Sequence, residues 1–214
     1  MKKSKNGQLG FSKKIVQEPY FLIPEIYSLL LRARKRKIKI LFIGGLAVRF
    51  YLKKTERITK DIDIAVATKH LDRFRELLET QSYQVGNFDP WFRAVKGQKG
   101  RKIIIDFTGE NVVELNNFNS LKIDFNLTVL KRVHLNGNFF YIPLPPLEDL
   151  ILLKLLSWRE KDISDVLCIL AEKFNEIDFV KYHDKIQLQD LERAVFQGYT
   201  ALQDFLQSDM GIEF

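Results

Sequence analysis

Two stretches decide the fold: Phe42-Ile-Gly-Gly-Leu-Ala-Val48 and, after a charged interval, Arg57-Ile-Thr-Lys-Asp-Ile-Asp-Ile-Ala-Val66. The first closes a partly alternating, β-branched run (residues 37–43) that reads as a strand. Two glycines end that strand, and residues 46–53 have the pattern of the helix that follows. The second stretch reads as another strand over 61–67. Side chains alternate along a strand, so Asp61 and Asp63 share one face while Ile62, Ile64 and Val66 share the other. The two aspartate Cα atoms are expected roughly 6.6–6.8 Å apart, close enough for their carboxylates to converge on one cation.

A third carboxylate extends the pattern. Asp106 stands in the apolar run Ile103-Ile-Ile-Asp-Phe107 and points away from Ile103, Ile105 and Phe107. If the two strands are neighbours, three carboxylates meet on one sheet face. Two like charges at about 4 Å repel by roughly 4 kcal/mol at an effective dielectric near 20. Three together therefore protonate, separate, or bind a divalent cation. Oxygen-only ligands favour Mg2+ (or Mn2+), which keeps waters and accepts phosphate oxygens. The plainer alternative makes Asp61 a loop cap and Asp106 a strand end. Gly44 and Gly45 similarly admit two readings. Their N–H groups and the following helix N-terminus can face a phosphate, or the glycines merely allow a tight strand-to-helix turn. No Gly-Lys-Ser/Thr follows, so this is not a P-loop.

Outward from this centre, the chain is ordinary for a globular protein. Of its 214 residues, 46% are apolar and 29% charged, and 17 phenylalanines can fill a sizeable core. Residues 1–18 read as a polar leader, and Pro24 opens an expected amphipathic helix over 25–35. Residues 70–81 pattern as a second amphipathic helix. Residues 83–95 and 101–107 read as strands joined by the turn at 96–100, and a short strand or pair is expected around 133–142. Pro143, Pro145 and Pro146 mark a break, after which the pattern is helical. The fold class expected is α/β (α+β): a mixed sheet with flanking helices and a helical C-terminal region. The divisions are 1–37 (basic leader and first helix), 38–142 (core) and 143–214 (helical region).

Charge and cysteine usage exclude some classes. Cys168 is the only cysteine, which rules out an internal disulfide; in its apolar helical run it reads as a buried structural thiol. The three histidines have no zinc-ligand spacing. No apolar run is long enough to span a bilayer, since residues 147–156 are broken by Glu148, Asp149 and Lys154. A reducing, cytoplasmic setting with no membrane is expected. The net charge of +7 is concentrated in residues 2–14, 32–39, 53–60 and 96–102. Such clusters suit a polyanion, triphosphate or RNA, or are simply solvated faces.

Beyond the prolines, Lys154 falls at the centre of a helical stripe formed by Leu147, Leu150, Ile151 and Trp158. It either reaches an anion or snorkels its head to water. Asp162 and Asp165, on one face of the next helix, can orient Lys154 or Arg159 or touch a nucleotide; Asp162 can equally be an N-cap. Arg57 and Thr59 either contact phosphate or fix the loop before Asp61.

These residues together resemble the DNA polymerase β-like nucleotidyltransferase superfamily, most closely its abortive-infection toxin-type (AbiEii-like) branch. The matching motifs are Gly44-Gly-Leu-Ala47, Arg57-Ile-Thr-Lys-Asp-Ile-Asp63, Ile105-Asp106, the proline-led helix through Glu148 and Asp149 to Lys154, and Arg159-Glu-Lys-Asp-Ile-Ser-Asp165. The resemblance covers about residues 38–170. It implies magnesium-dependent transfer of a nucleoside monophosphate from an NTP to an acceptor hydroxyl, with pyrophosphate leaving. Asp61 and Asp63 would hold the metal against the triphosphate, and Asp106 would complete the site and help deprotonate the acceptor. Gly44, Gly45, Arg57, Thr59, Lys154 and Asp162 would contact the nucleotide.

The acceptor is open among RNA (tRNA included), protein and a small molecule of antibiotic type. The net charge argues mildly against a cationic drug. Trp91, Phe92 and Arg93, before the basic turn, offer either a nucleic-acid surface or core aromatics. A toxin with an antitoxin partner is one expectation, and a non-catalytic nucleotide- or RNA-binding protein of the same fold is another.

Overall fold

The computed structural model describes residues 18–52, 59–97, 102–114, 119–135 and 138–210. Arg57, residues 1–17 and the turn residues 98–101 lie outside the described residues, so the expectations placed on them are not taken further as structure.

Helix α1 (Glu18–Lys35) leads into β1 (Ile40–Ile43), α2 (Gly44–Tyr51) and β2 (Asp61–Val66). A 3₁₀ turn and α3 (Leu71–Glu79) then precede β3 (Gln84–Phe88), β4 (Trp91–Lys96) and β5 (Ile103–Thr108). These strands form one mixed sheet in the order β1-β2-β5-β4-β3, with only the β2–β5 pair parallel. Two small antiparallel pairs follow, β6 (Asn111–Val113) with β7 (Ser120–Lys122), and β8 (Val129–Leu135) with β9 (Asn138–Leu144). The chain ends in α4 (Leu147–Ser157), α5 (Glu160–Lys173), α6 (Phe179–Leu188) and α7 (Glu192–Met210). This is the α/β class expected, a mixed sheet with flanking helices and a helical C-terminal region.

The sheet holds the core because its central strands, β2 and β5, turn one wholly apolar face inward, opposite the face that carries the aspartates. Ile62, Ile64, Ile105 and Phe107 are fully buried, and Phe107 packs against Phe74 of α3 and Phe92 of β4 with ring centroids 5.2 Å apart. One hydrophobic cluster runs continuously from Leu22 to Val195 and includes residues of α4, α5, α6 and α7.

Three local expectations are corrected. Helix α1 runs through Pro24 rather than starting after it, because Leu22 and Ile26 on its inner face are both buried. The expected strand over 83–95 is a hairpin, β3 and β4, turning at Asp89-Pro90. Cys168 is exposed: α5 turns Ile163, Val166 and Ile169 inward, and residue 168 falls on the opposite side.

Candidate active site

The sheet register builds the site. Ile43 at the end of β1 pairs with Asp63, Asp63 pairs with Asp106 of β5, and Asp106 pairs with Arg93 of β4. Paired residues point to the same face, so these four form a row across the sheet, with Asp61 two residues from Asp63 on that face. Asp61, Asp63 and Asp106 each offer a carboxylate oxygen, all within 4.8 Å of one another. The row forms the floor of a cleft of about 650 Å³. Gly44, Gly45, Thr59, Trp91, Glu114, Lys154 and Arg159 are among the residues around it.

Gly44 makes the close approach possible. Its φ is +64°, in the left-handed region, and a Cβ there would stand 1.9 Å from Asp63 Oδ2. The bend is therefore a cradle shaped to the Asp63 carboxylate. Helix α2 begins at Gly44 itself, earlier than expected, and its N-terminus has no side-chain cap. Its first backbone N–H groups are left for another acceptor.

The electrostatics are unbalanced around Asp63. Burial, then the neighbouring Asp61 charge, push its carboxyl up to about 7; Lys154 pulls the other way, and Asp106 adds to the rise. Asp106 is held from the side by Arg93, whose Nε and Nη2 donate to Oδ1 and Oδ2 at 2.7 Å each. The same guanidinium lies 3.8 Å from the centroid of the Phe88 ring. The donor set is all oxygen and converged, which fits a hard divalent cation such as magnesium or manganese.

A second layer stands on α4 and α5. Lys154 is 4% exposed, and its Nζ lies 2.6 Å from Asp162 Oδ1 and 3.0 Å from Asp165 Oδ2. The apolar-stripe picture of its helix is corrected here: α4 is buried on every side, wrapped by α2, α5, α6 and α7. Lys154 thus does not snorkel. Asp162 is fully buried and is not the N-cap of α5, which is Arg159. It accepts hydrogen bonds from Lys154, Ser157 and, at 2.5 Å, Arg159 Nε. Burial alone would raise its carboxyl; the Lys154 ammonium and these hydrogen bonds outweigh that and bring it down to about 2.

Thr59 borders the cleft, and among the described residues its buried hydroxyl finds no hydrogen-bond partner. Two cleft residues were not legible in sequence. Arg93 was readable only as part of a surface or a core cluster, because its role depends on the β4–β5 register. Glu114, just after β6, stands in the cleft with its carboxyl raised to about 7, mainly by burial and against the pull of Arg159. Trp91 borders the cleft and donates from Nε1 to the Val113 carbonyl at 2.7 Å, whereas Phe92 belongs to the core.

The sheet thus brings carboxylates from two parallel neighbours together beside a glycine bend. Solved structures share the fold. The solution structure of the antibiotic-resistance factor ANT(2'')-Ia matches with a TM-score of 0.54 and 15% identity, over 86% of this chain and 96% of that one. The crystal structure of ANT(2")-Ia in complex with adenylyl-2"-tobramycin gives 0.55 and 13%, over 86% and 99%. At such identities the likeness is one of fold alone. No curated protein matches the sequence. The family is reached directly: residues 21–187 match the profile described as "Nucleotidyltransferase of unknown function (DUF6036)", and the chain belongs to that family.

Proposed function

We propose that the protein transfers a nucleoside monophosphate from an NTP to an acceptor hydroxyl of RNA (tRNA included) or protein, in the cytoplasm, as the toxin of a toxin–antitoxin pair of the abortive-infection type. The observation that supports the chemistry is the convergence of Asp61, Asp63 and Asp106 beside the Gly44 bend. Magnesium (or manganese) held by these three carboxylates would supply Lewis-acid neutralisation of the triphosphate and of the oxygens entering and leaving.

The chain's own groups do the rest. The α2 N-terminus and Gly45 offer backbone N–H groups to the phosphates, Thr59 offers a hydroxyl that has no partner among the described residues, and Arg57 stands two residues before it in the sequence. Lys154 and Arg159 bring positive charge to the cleft, and Asp162 holds both in place. Asp106, fixed by Arg93, takes the proton of the acceptor hydroxyl as its oxygen bonds to the α-phosphorus. The bond from that phosphorus to the bridging oxygen breaks, and pyrophosphate leaves.

Charge argues for an acceptor other than a cationic drug. Around the cleft, Lys60, Arg93, Lys154, Arg159 and Lys161 face Asp61, Asp63, Asp106 and Glu114, and a divalent cation would add further positive charge. The test is incubation with each α-labelled NTP, magnesium, and total RNA or protein. Transfer is expected to one of these and to be lost in an Asp61→Asn/Asp63→Asn variant. Transfer that survives the double substitution, or that reaches only small hydroxyl compounds, would overturn the reading.

A further inference from the structure

The β8–β9 hairpin presents two unlike faces. Phe140, Ile142 and Leu144 point inward and are buried, with Phe140 packed edge-on against Tyr27 of α1 at 5.1 Å between centroids. On the outer face Leu130 pairs with Pro143, Arg132 with Tyr141, and His134 with Phe139. Those outer rings are open to solvent: Phe139 is 59% exposed, Tyr141 57% and Leu130 62%. Contiguous apolar surface of this kind marks an interaction site more often than scattered single residues do.

The composition of the face selects its occupant. Basic side chains stand among the rings: the Arg132 guanidinium lies 4.4 Å from the Phe139 centroid and Arg132 is the cross-strand partner of Tyr141, while the His134 ring lies 5.0 Å from Phe139. Residues 129–147 contain Lys131, Arg132 and His134 and no aspartate or glutamate, in a chain of net charge +7. Flat rings with basic neighbours and no carboxylates suit stacked bases joined by phosphates. Neither Phe139 nor Tyr141 borders the catalytic cleft, so the face is a surface of its own.

We propose that the outer face of the β8–β9 hairpin is a docking platform for single-stranded nucleic acid, with unpaired bases stacked on Phe139 and Tyr141 and phosphates against Arg132 and His134. The platform does not depend on the transfer chemistry, and its test needs no NTP. Anisotropy of a fluorescein-labelled single-stranded oligouridylate is measured against the full chain, in wild type and in the Asp61→Asn/Asp63→Asn variant, where equal binding is expected.

Phe139→Ala and Tyr141→Ala should each weaken binding on the order of tenfold. Arg132→Gln should lower the slope of log affinity against log salt by about 0.7, one phosphate contact. Because these side chains face solvent, each variant should keep the wild-type thermal melt, and one that does not is replaced by Phe139→Ser or Tyr141→Ser. Absence of RNA binding by wild type, or affinity unchanged in the Phe139→Ala/Tyr141→Ala double variant, overturns the platform. So does light scattering that shows a wild-type dimer and a monomeric double variant, which would make the face a contact between copies of this chain.

Discussion

Alanine at position 44 would set a methyl carbon 1.9 Å from Asp63 Oδ2 and force a left-handed backbone on a residue with a Cβ. The strain is about 1–3 kcal/mol, and the collision must move Asp63 out of the row. Gly44→Ala is therefore expected to lose both stability, read by denaturant midpoint, and nucleotidyl transfer, read by label incorporation. Asp63→Asn should separate these two effects. Removing a buried like charge should raise the melting temperature of the metal-free protein, while the stabilisation expected from magnesium in wild type should vanish. A magnesium-dependent shift that persists in Asp63→Asn would remove this residue from the metal site. Lys154 poses the opposite problem, since Lys154→Met leaves Asp162 and Asp165 buried without their shared cation. The expected loss is about 3–5 kcal/mol by chemical denaturation. The Asp162 carboxyl is depressed to about 2 in the folded chain. Its contribution is thus full above the unfolded value of about 4 and fades as pH falls toward 2. The stability deficit of Asp162→Asn should shrink across that window.

Elements differ in how plainly they are written in the chain. Strand β2, the glycine bend and α3 were legible because a period of two or of 3.6 residues was unbroken and glycines punctuated it. The β3–β4 hairpin was not, because Tyr83 to Val95 continues a strand-like pattern and only Asp89-Pro90 marks the reversal. Helix α4 misled for a different reason. A helix surrounded by neighbours has no polar face, and Lys154 mimics an amphipathic break only because its charge is answered internally. Its packing against α7 is close enough to test. A Cβ on Gly198 would meet the Leu155 carbonyl oxygen at 2.5 Å. Gly198→Ala should cost about 1–3 kcal/mol despite alanine's better helix propensity. Unchanged stability would mean that α7 does not sit against α4 as described.

For the whole molecule, the three carboxylates could be nominated from local pattern, but their company could not. Arg93 and Glu114 enter the cleft through strand order and register, which no local spacing encodes. The continuous core from Leu22 to Val195 has the same origin, since it joins residues far apart in the chain. The parallel β2–β5 pair has a kinetic consequence. Pairing Asp63 with Asp106 closes a long stretch of chain that includes α3, β3 and β4, and closures of long sequence separation are slow. Helices can regain their circular dichroism well before that. Catalytic competence should therefore lag behind helical signal when denatured protein is diluted into buffer, so that turnover reports the last stage of sheet assembly.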